Sequence, residues 1–69
     1  MMYSTFAERL KELRTECNLS HAQLAKQTGI SAGAIGLWEL NRREAKIDAV
    51  ITLAKFFNVS VGYMVGTED

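Results

Sequence analysis

Apolar residues recur along this chain at helical spacing. Phe6, Leu10, Leu13 and Cys17 stand at i, i+4, i+7 and i+11, while Glu8, Arg9, Lys11, Glu12 and Glu16 occupy the opposite face. This predicts a first helix over about 5–17. Leu24 and Ala25 mark the inner side of a second over about 21–28, and Ile35 and Trp38 that of a third over about 32–40. A fourth, over about 47–57, turns Ile47, Val50, Ile51, Ala54 and Phe57 to one side, and a fifth covers about 61–65. No run alternates with period two for long enough to argue a strand; Val59-Ser60-Val61 is too short.

The punctuation agrees with five helices. Asn18, Gly29, Asn41, Asn58 and Gly66 each follow a helical segment. Asn and Gly tolerate the left-handed conformation that ends many helices. Thr5-Phe6-Ala7-Glu8 and Ser20-His21-Ala22-Gln23 read as capping boxes, and Ser31 and Ser60 as N-caps. The fourth helix starts near Ile47 with Asp48 in its first turn, where the helix dipole favours a negative charge, but no good cap residue precedes it. The predicted class is all-α, a compact bundle with short links.

Length and composition narrow what the bundle can do. A chain of 69 residues is expected to be a single domain, 1–69, or part of one, with little room for a deep cleft. Lys and Arg number 8 and Asp and Glu number 8, so the chain is not a polycation, and any binding to nucleic acid must come from local charge placement. One cysteine, Cys17, and one histidine, His21, exclude an internal disulfide and a Cys/His zinc site within one chain. Cys17 is expected as a buried small hydrophobe. A lone thiol fits a reducing compartment, Met1-Met2-Tyr3-Ser4 has no signal-peptide pattern, and no apolar stretch nears the ~20 residues that span a bilayer. A cytoplasmic protein with no membrane partner is expected. No nucleophile or acid–base constellation is visible, and Gly33-Ala34-Ile35-Gly36 lacks the pattern of a phosphate loop. The expectation is therefore no enzyme, no cofactor, no metal and no small-molecule substrate.

The informative stretch runs from His21 to Asn41, HAQLAKQTGISAGAIGLWELN. Two helices of about eight residues flank a tight turn, with Leu24, Ile30, Ile35 and Trp38 as their joint core. Ala25 allows close approach, and Gly29 sits where the turn needs a positive φ. This is the spacing of a helix-turn-helix, whose second helix enters the DNA major groove.

In these segments the chain resembles the Cro/CI repressor family of helix-turn-helix proteins, also called the XRE family. RLKELR (Arg9 to Arg14), LSHAQLAKQTGIS (Leu19 to Ser31), AIGLWE (Ala34 to Glu39) and ITLAKFFNVSVGYMVG (Ile51 to Gly66) carry the likeness, in order and at the family's spacing. The resemblance implies a five-helix, lambda-repressor-like DNA-binding domain from a bacterium or phage. It implies that Ser20 and His21 open helix two near phosphate or base, with His21 where the family usually has Gln. It implies that Ser31, Ala32, Gly33 and Leu37 face base edges, and that Arg42, Arg43 and Lys46 contact phosphates. It also implies an ion pair between Arg14 and Glu39, and a dimer interface on the last helix at Val61, Tyr63, Met64 and Val65, unless those residues close the domain's own core.

The departures matter as much. Ala32, Gly33, Gly36 and Leu37 offer no polar side chain, although base discrimination usually relies on Arg, Lys, Asn or Gln. Glu44 stands among the three cations. At a helix N-terminus the dipole disfavours a charged imidazole, so His21 is expected to act as a neutral group. The leading expectation is a transcriptional regulator, a repressor, that binds double-stranded DNA as a homodimer on a pseudo-palindrome. The alternative is an antitoxin-like or co-regulator module of the same fold, gripping a protein partner with its Leu37/Leu40 face.

Overall fold

The computed structural model describes residues 5–68. The N-terminal Met1-Met2-Tyr3-Ser4 stretch, read above for its lack of a signal pattern, and residue 69 lie outside the described residues. Five helices follow one another: α1 (Thr5–Glu16), α2 (His21–Thr28), α3 (Ala32–Glu39), α4 (Ile47–Phe57) and α5 (Val61–Val65). Among the described residues there is no strand.

The ends of these helices follow from local chemistry. All five predicted stops, Asn18, Gly29, Asn41, Asn58 and Gly66, have positive φ. At Asn18, Asn41, Asn58 and Gly66 the chain closes a Schellman motif, with paired bonds from the left-handed residue and the one after it. After α3, for example, Arg42 N–H donates to Leu37 O at 2.9 Å and Asn41 N–H to Trp38 O at 3.0 Å. Gly29 instead makes the single bond of the simpler motif, to Ala25 O at 2.8 Å. Ser20, Ser31 and Ser60 cap the helices that follow them. The Ser20 box is complete: its Oγ accepts from Gln23 N–H at 3.0 Å, and its own N–H donates to Gln23 Oε1 at 2.8 Å. Lys46 precedes α4 without a side-chain cap. Thr5 is the first helical residue of α1 rather than its cap, because the helix already includes it; the cap position lies outside the described residues.

The core gathers Leu10 from α1, Leu24 from α2, Ile35 and Trp38 from α3, Val50, Leu53 and Ala54 from α4 and Met64 from α5. Three expectations need correction. Cys17 is exposed, because α1 stops at Glu16 and Asn18 turns the chain before the stripe reaches it. On α4 the buried line is Val50, Leu53 and Ala54, with Phe57 partly buried; Ile47 is 59% exposed and Ile51 also faces outward. Met64 has no exposed surface, so it belongs to the domain's own core and not to a dimer face. Val61 packs partly against that core, Tyr63 is half-buried, and only Val65 of the four α5 candidates is exposed.

Arg9 joins the two ends of the fold. It stands on the face of α1 opposite the apolar stripe, and its Nη1 donates to Tyr63 O at 2.8 Å and Glu68 O at 3.1 Å. Its guanidinium carbon stands 4.1 Å from the centre of the Tyr63 ring.

Candidate nucleic-acid interface

α2 and α3 are joined by residues 29–31, a left-handed glycine, a half-buried isoleucine and a capping serine. Leu24 and Ile35 have no exposed surface and pin the two helices from within. That packing turns the first residues of α2 and the outer side of α3 away from the core.

A three-helix polar clamp sets the pair against α1. Arg14 makes a two-pronged contact with Glu39, Nε to Oε2 at 2.7 Å and Nη2 to Oε1 at 2.9 Å. Its remaining nitrogen, Nη1, donates to Leu19 O at 2.7 Å, where α1 gives way to α2. His21 Nε2 stands 3.1 Å from Glu39 Oε1. One carboxylate at the end of α3 thus receives a side chain from α1 and another from α2. The Arg14 and Glu39 side chains are 12% and 6% exposed. Charge-assisted paired bonds of this kind fix direction as well as distance.

Burial pushes the Glu39 carboxyl upward, but the hydrogen bonds from Arg14 and His21 outweigh it and hold the group below the usual glutamate range. The Glu39 bond raises the Arg14 guanidinium, with burial opposing, so it stays charged throughout. A carboxylate lowered on folding contributes stability above its unfolded value of 4.5 and loses that contribution as pH falls through its own lower value. The stability gap between the native chain and Glu39→Gln should therefore shrink as pH falls below 4.5. Thermal melts from neutral to strongly acid pH would measure it, and a gap independent of pH would contradict it.

The remaining predicted residues lie along one run of the chain. Ser20 caps α2, and its hydroxyl is used within the capping box. Ser31 caps α3, accepting from Ala34 N–H at 3.2 Å. Ala32 and Gly33 form the first turn of α3, and Leu37 and Leu40 are 38% and 67% exposed. Arg42, Arg43 and Lys46 are exposed in the link to α4, and among the described residues none of them pairs with a carboxylate. The His21–Glu39 contact was missed in the sequence. A carboxylate partner 18 positions away leaves no local signal.

Two glycines of α3 have no internal reason to be glycine. A Cβ on Gly36 would meet nothing within 4 Å, and one on Gly33 only Ser31 Oγ at 3.6 Å. Neither has a positive φ. Each costs a helix about 1 kcal/mol relative to alanine. Gly33→Ala/Gly36→Ala should therefore stabilise the domain by about 1–2 kcal/mol in urea denaturation. A destabilised double variant would mean that the packing needs both positions bare.

Five helices, with the second and third joined by a left-handed glycine and a capping serine, define a helix-turn-helix domain. The chain belongs to the helix-turn-helix family, whose model matches residues 10–64, as the sequence resemblance implied. Over 64 residues it is 33% identical to YobD of Bacillus subtilis (strain 168), described as an uncharacterized HTH-type transcriptional regulator; the match covers 93% of this chain and 57% of that protein. Over the same length it is 34% identical to BcrR of Enterococcus faecalis, an HTH-type transcriptional activator, covering 93% of this chain and 31% of that protein. No solved structure matches it significantly. The chain thus spans 57% and 31% of the curated relatives it matches. Among the described residues no helix is long and apolar enough to cross a membrane.

Proposed function

We propose that this domain binds double-stranded DNA as the sequence-reading part of a transcription regulator, with α3 in the major groove. The observation that carries this reading is the outer side of α3, bare at Gly33 and Gly36 where the fold has room for side chains, followed by three exposed cations that pair with no carboxylate among the described residues. A helix without Cβ atoms at such positions lets its backbone come close to a groove wall. Cations beyond its C-terminus can then reach the flanking phosphates, which position a protein without reading sequence. Ser31, Ala32, Gly33 and Leu37 are the groove-facing residues in this proposal, Ser20 and His21 stand beside them at the start of α2, and Arg42, Arg43 and Lys46 hold the backbone. With few polar groups on α3, recognition leans on thymine methyls and on DNA shape.

The finer reading is a homodimeric repressor on a pseudo-palindrome, with half-sites about one helical turn apart. With Met64 in the core, Val65 is the exposed member of the α5 set left for a dimer contact. A second reading, a protein partner gripped by Leu37 and Leu40, has one observation in its favour: both leucines are exposed side by side with the glycines.

The test is selection of bound duplexes from random and sheared genomic DNA at physiological salt. A recovered motif with two-fold symmetry is the expected result and supplies the half-site spacing. Retention without an enriched motif would reduce the function to backbone binding. No retention by folded protein would sink the DNA reading.

A further inference from the structure

His21 is where the interface departs most informatively from a plain helix-turn-helix. Its ring has two nitrogens, and the fold commits only one of them. Nε2 lies 3.1 Å from Glu39 Oε1, and Nδ1 makes no hydrogen bond to any described residue. The side chain is 43% exposed at the first position of α2. An ionised carboxylate can only accept. Arg14, charged and bonded to both oxygens of Glu39, keeps that carboxylate ionised and fixed in direction. The shared proton must therefore sit on Nε2. A neutral imidazole has one N–H, so Nδ1 is left with its lone pair.

We propose that Glu39 is a positioning residue that locks His21 in the Nε2–H tautomer, so that its outward Nδ1 reads an exocyclic amino group of DNA, on adenine or cytosine. This rests on the DNA-binding function proposed above. Neighbouring polar groups do not compete for the role. The hydroxyls of Ser20 and Ser31 accept from their own helices, and the Gln23 carbonyl is taken by Ser20 N–H. A phosphate oxygen only accepts, so a neutral Nδ1 cannot bond to it. In the major groove guanine and thymine also present acceptors at their reading edges, while cytosine N4 and adenine N6 donate. A glutamine at this position offers both a donor and an acceptor and discriminates less. The lock thus converts an ambiguous side chain into a one-way reader.

The first arm of the test needs no DNA. The chain has a single histidine, so long-range proton–nitrogen NMR at a pH where the ring is neutral reads its tautomer without ambiguity. The native chain should show Nε2–H and an unprotonated Nδ1, and Glu39→Gln should show the tautomers averaging. Nδ1–H, or averaging already in the native chain, overturns the proposal. The second arm uses the duplex recovered by selection, with adenine replaced by purine or cytosine by pyrimidin-2-one at one symmetric position. Loss of the amino group should weaken the native chain about 2- to 10-fold and leave His21→Ala unchanged. The analogue that produces the loss identifies the base. No loss from either, or a guanine preference that depends on His21, overturns the base contact. Retention of no DNA at all overturns the DNA function and the base contact together, while the NMR arm still decides the lock.

Discussion

Replacing Glu39 with alanine should cost the domain up to about 3–5 kcal/mol, the cost of removing one member of a fully buried ion pair, since this pair is part-buried. The reason is the company Glu39 keeps. Without it the Arg14 guanidinium, on a side chain only 12% exposed, loses two of its three bonds and stays charged. A chain of 69 residues has roughly 3–10 kcal/mol of stability in all, at about 0.05–0.15 kcal/mol per residue. The variant should therefore lose a large share of that margin. Arg14→Met/Glu39→Met should be less damaging than Glu39→Ala alone, because it leaves no charge stranded. Urea denaturation of the native chain, Arg14→Met, Glu39→Met and the double variant measures the coupling, with Glu39→Ala beside them. A loss below about 1 kcal/mol for Glu39→Ala would put the pair among exposed ones and remove it as the clamp on α3. A double variant that is stable but binds DNA poorly would assign the clamp to orientation.

What the sequence reveals and what it hides divide by distance along the chain. Helix starts and stops are local events. Ser20 with Gln23, Ser31, Ser60 and the five left-handed stops lie within a few residues of the backbone they satisfy, and all of them are legible. The inner face of α4 is not, because Ile47, Ala49, Val50, Ile51, Leu53, Ala54, Phe56 and Phe57 leave most of its circumference apolar. Packing selects Val50, Leu53 and Ala54 from several equivalent stripes. α5 has five residues, too few for a period to tell buried Met64 from exposed Val65. The Cys17 stripe failed where a terminator outranked a periodicity. The polar clamp was half legible. Arg14 and Glu39 followed from the family resemblance, but His21 joins them only once α2 and α3 have packed. Arg9, held to Tyr63 across 54 positions, leaves no mark in any window of sequence.

Arg42→Ala/Arg43→Ala should flatten the salt dependence of DNA binding. Each phosphate neutralised contributes about −0.9 to the slope of log affinity against log salt. Removing two should make the slope shallower by about 1.8, so raising salt from about 50 to 200 mM would cost the double variant about 12-fold less affinity than it costs the native chain. The loss should be nearly uniform across DNA sequences, because contacts to phosphate position a protein without reading its bases. Both residues are exposed and make no bond to a described side chain, so stability should hardly move and the effect can be read on folded protein. Leu37→Asp gives the opposite pattern. A carboxylate on the groove side of α3 should repel every duplex and lower affinity without changing how many phosphates are held. If the two arginines leave the slope untouched while Leu37→Asp breaks a complex with another protein, the exposed face of α3 serves a protein partner and the cations are an ordinary solvated loop.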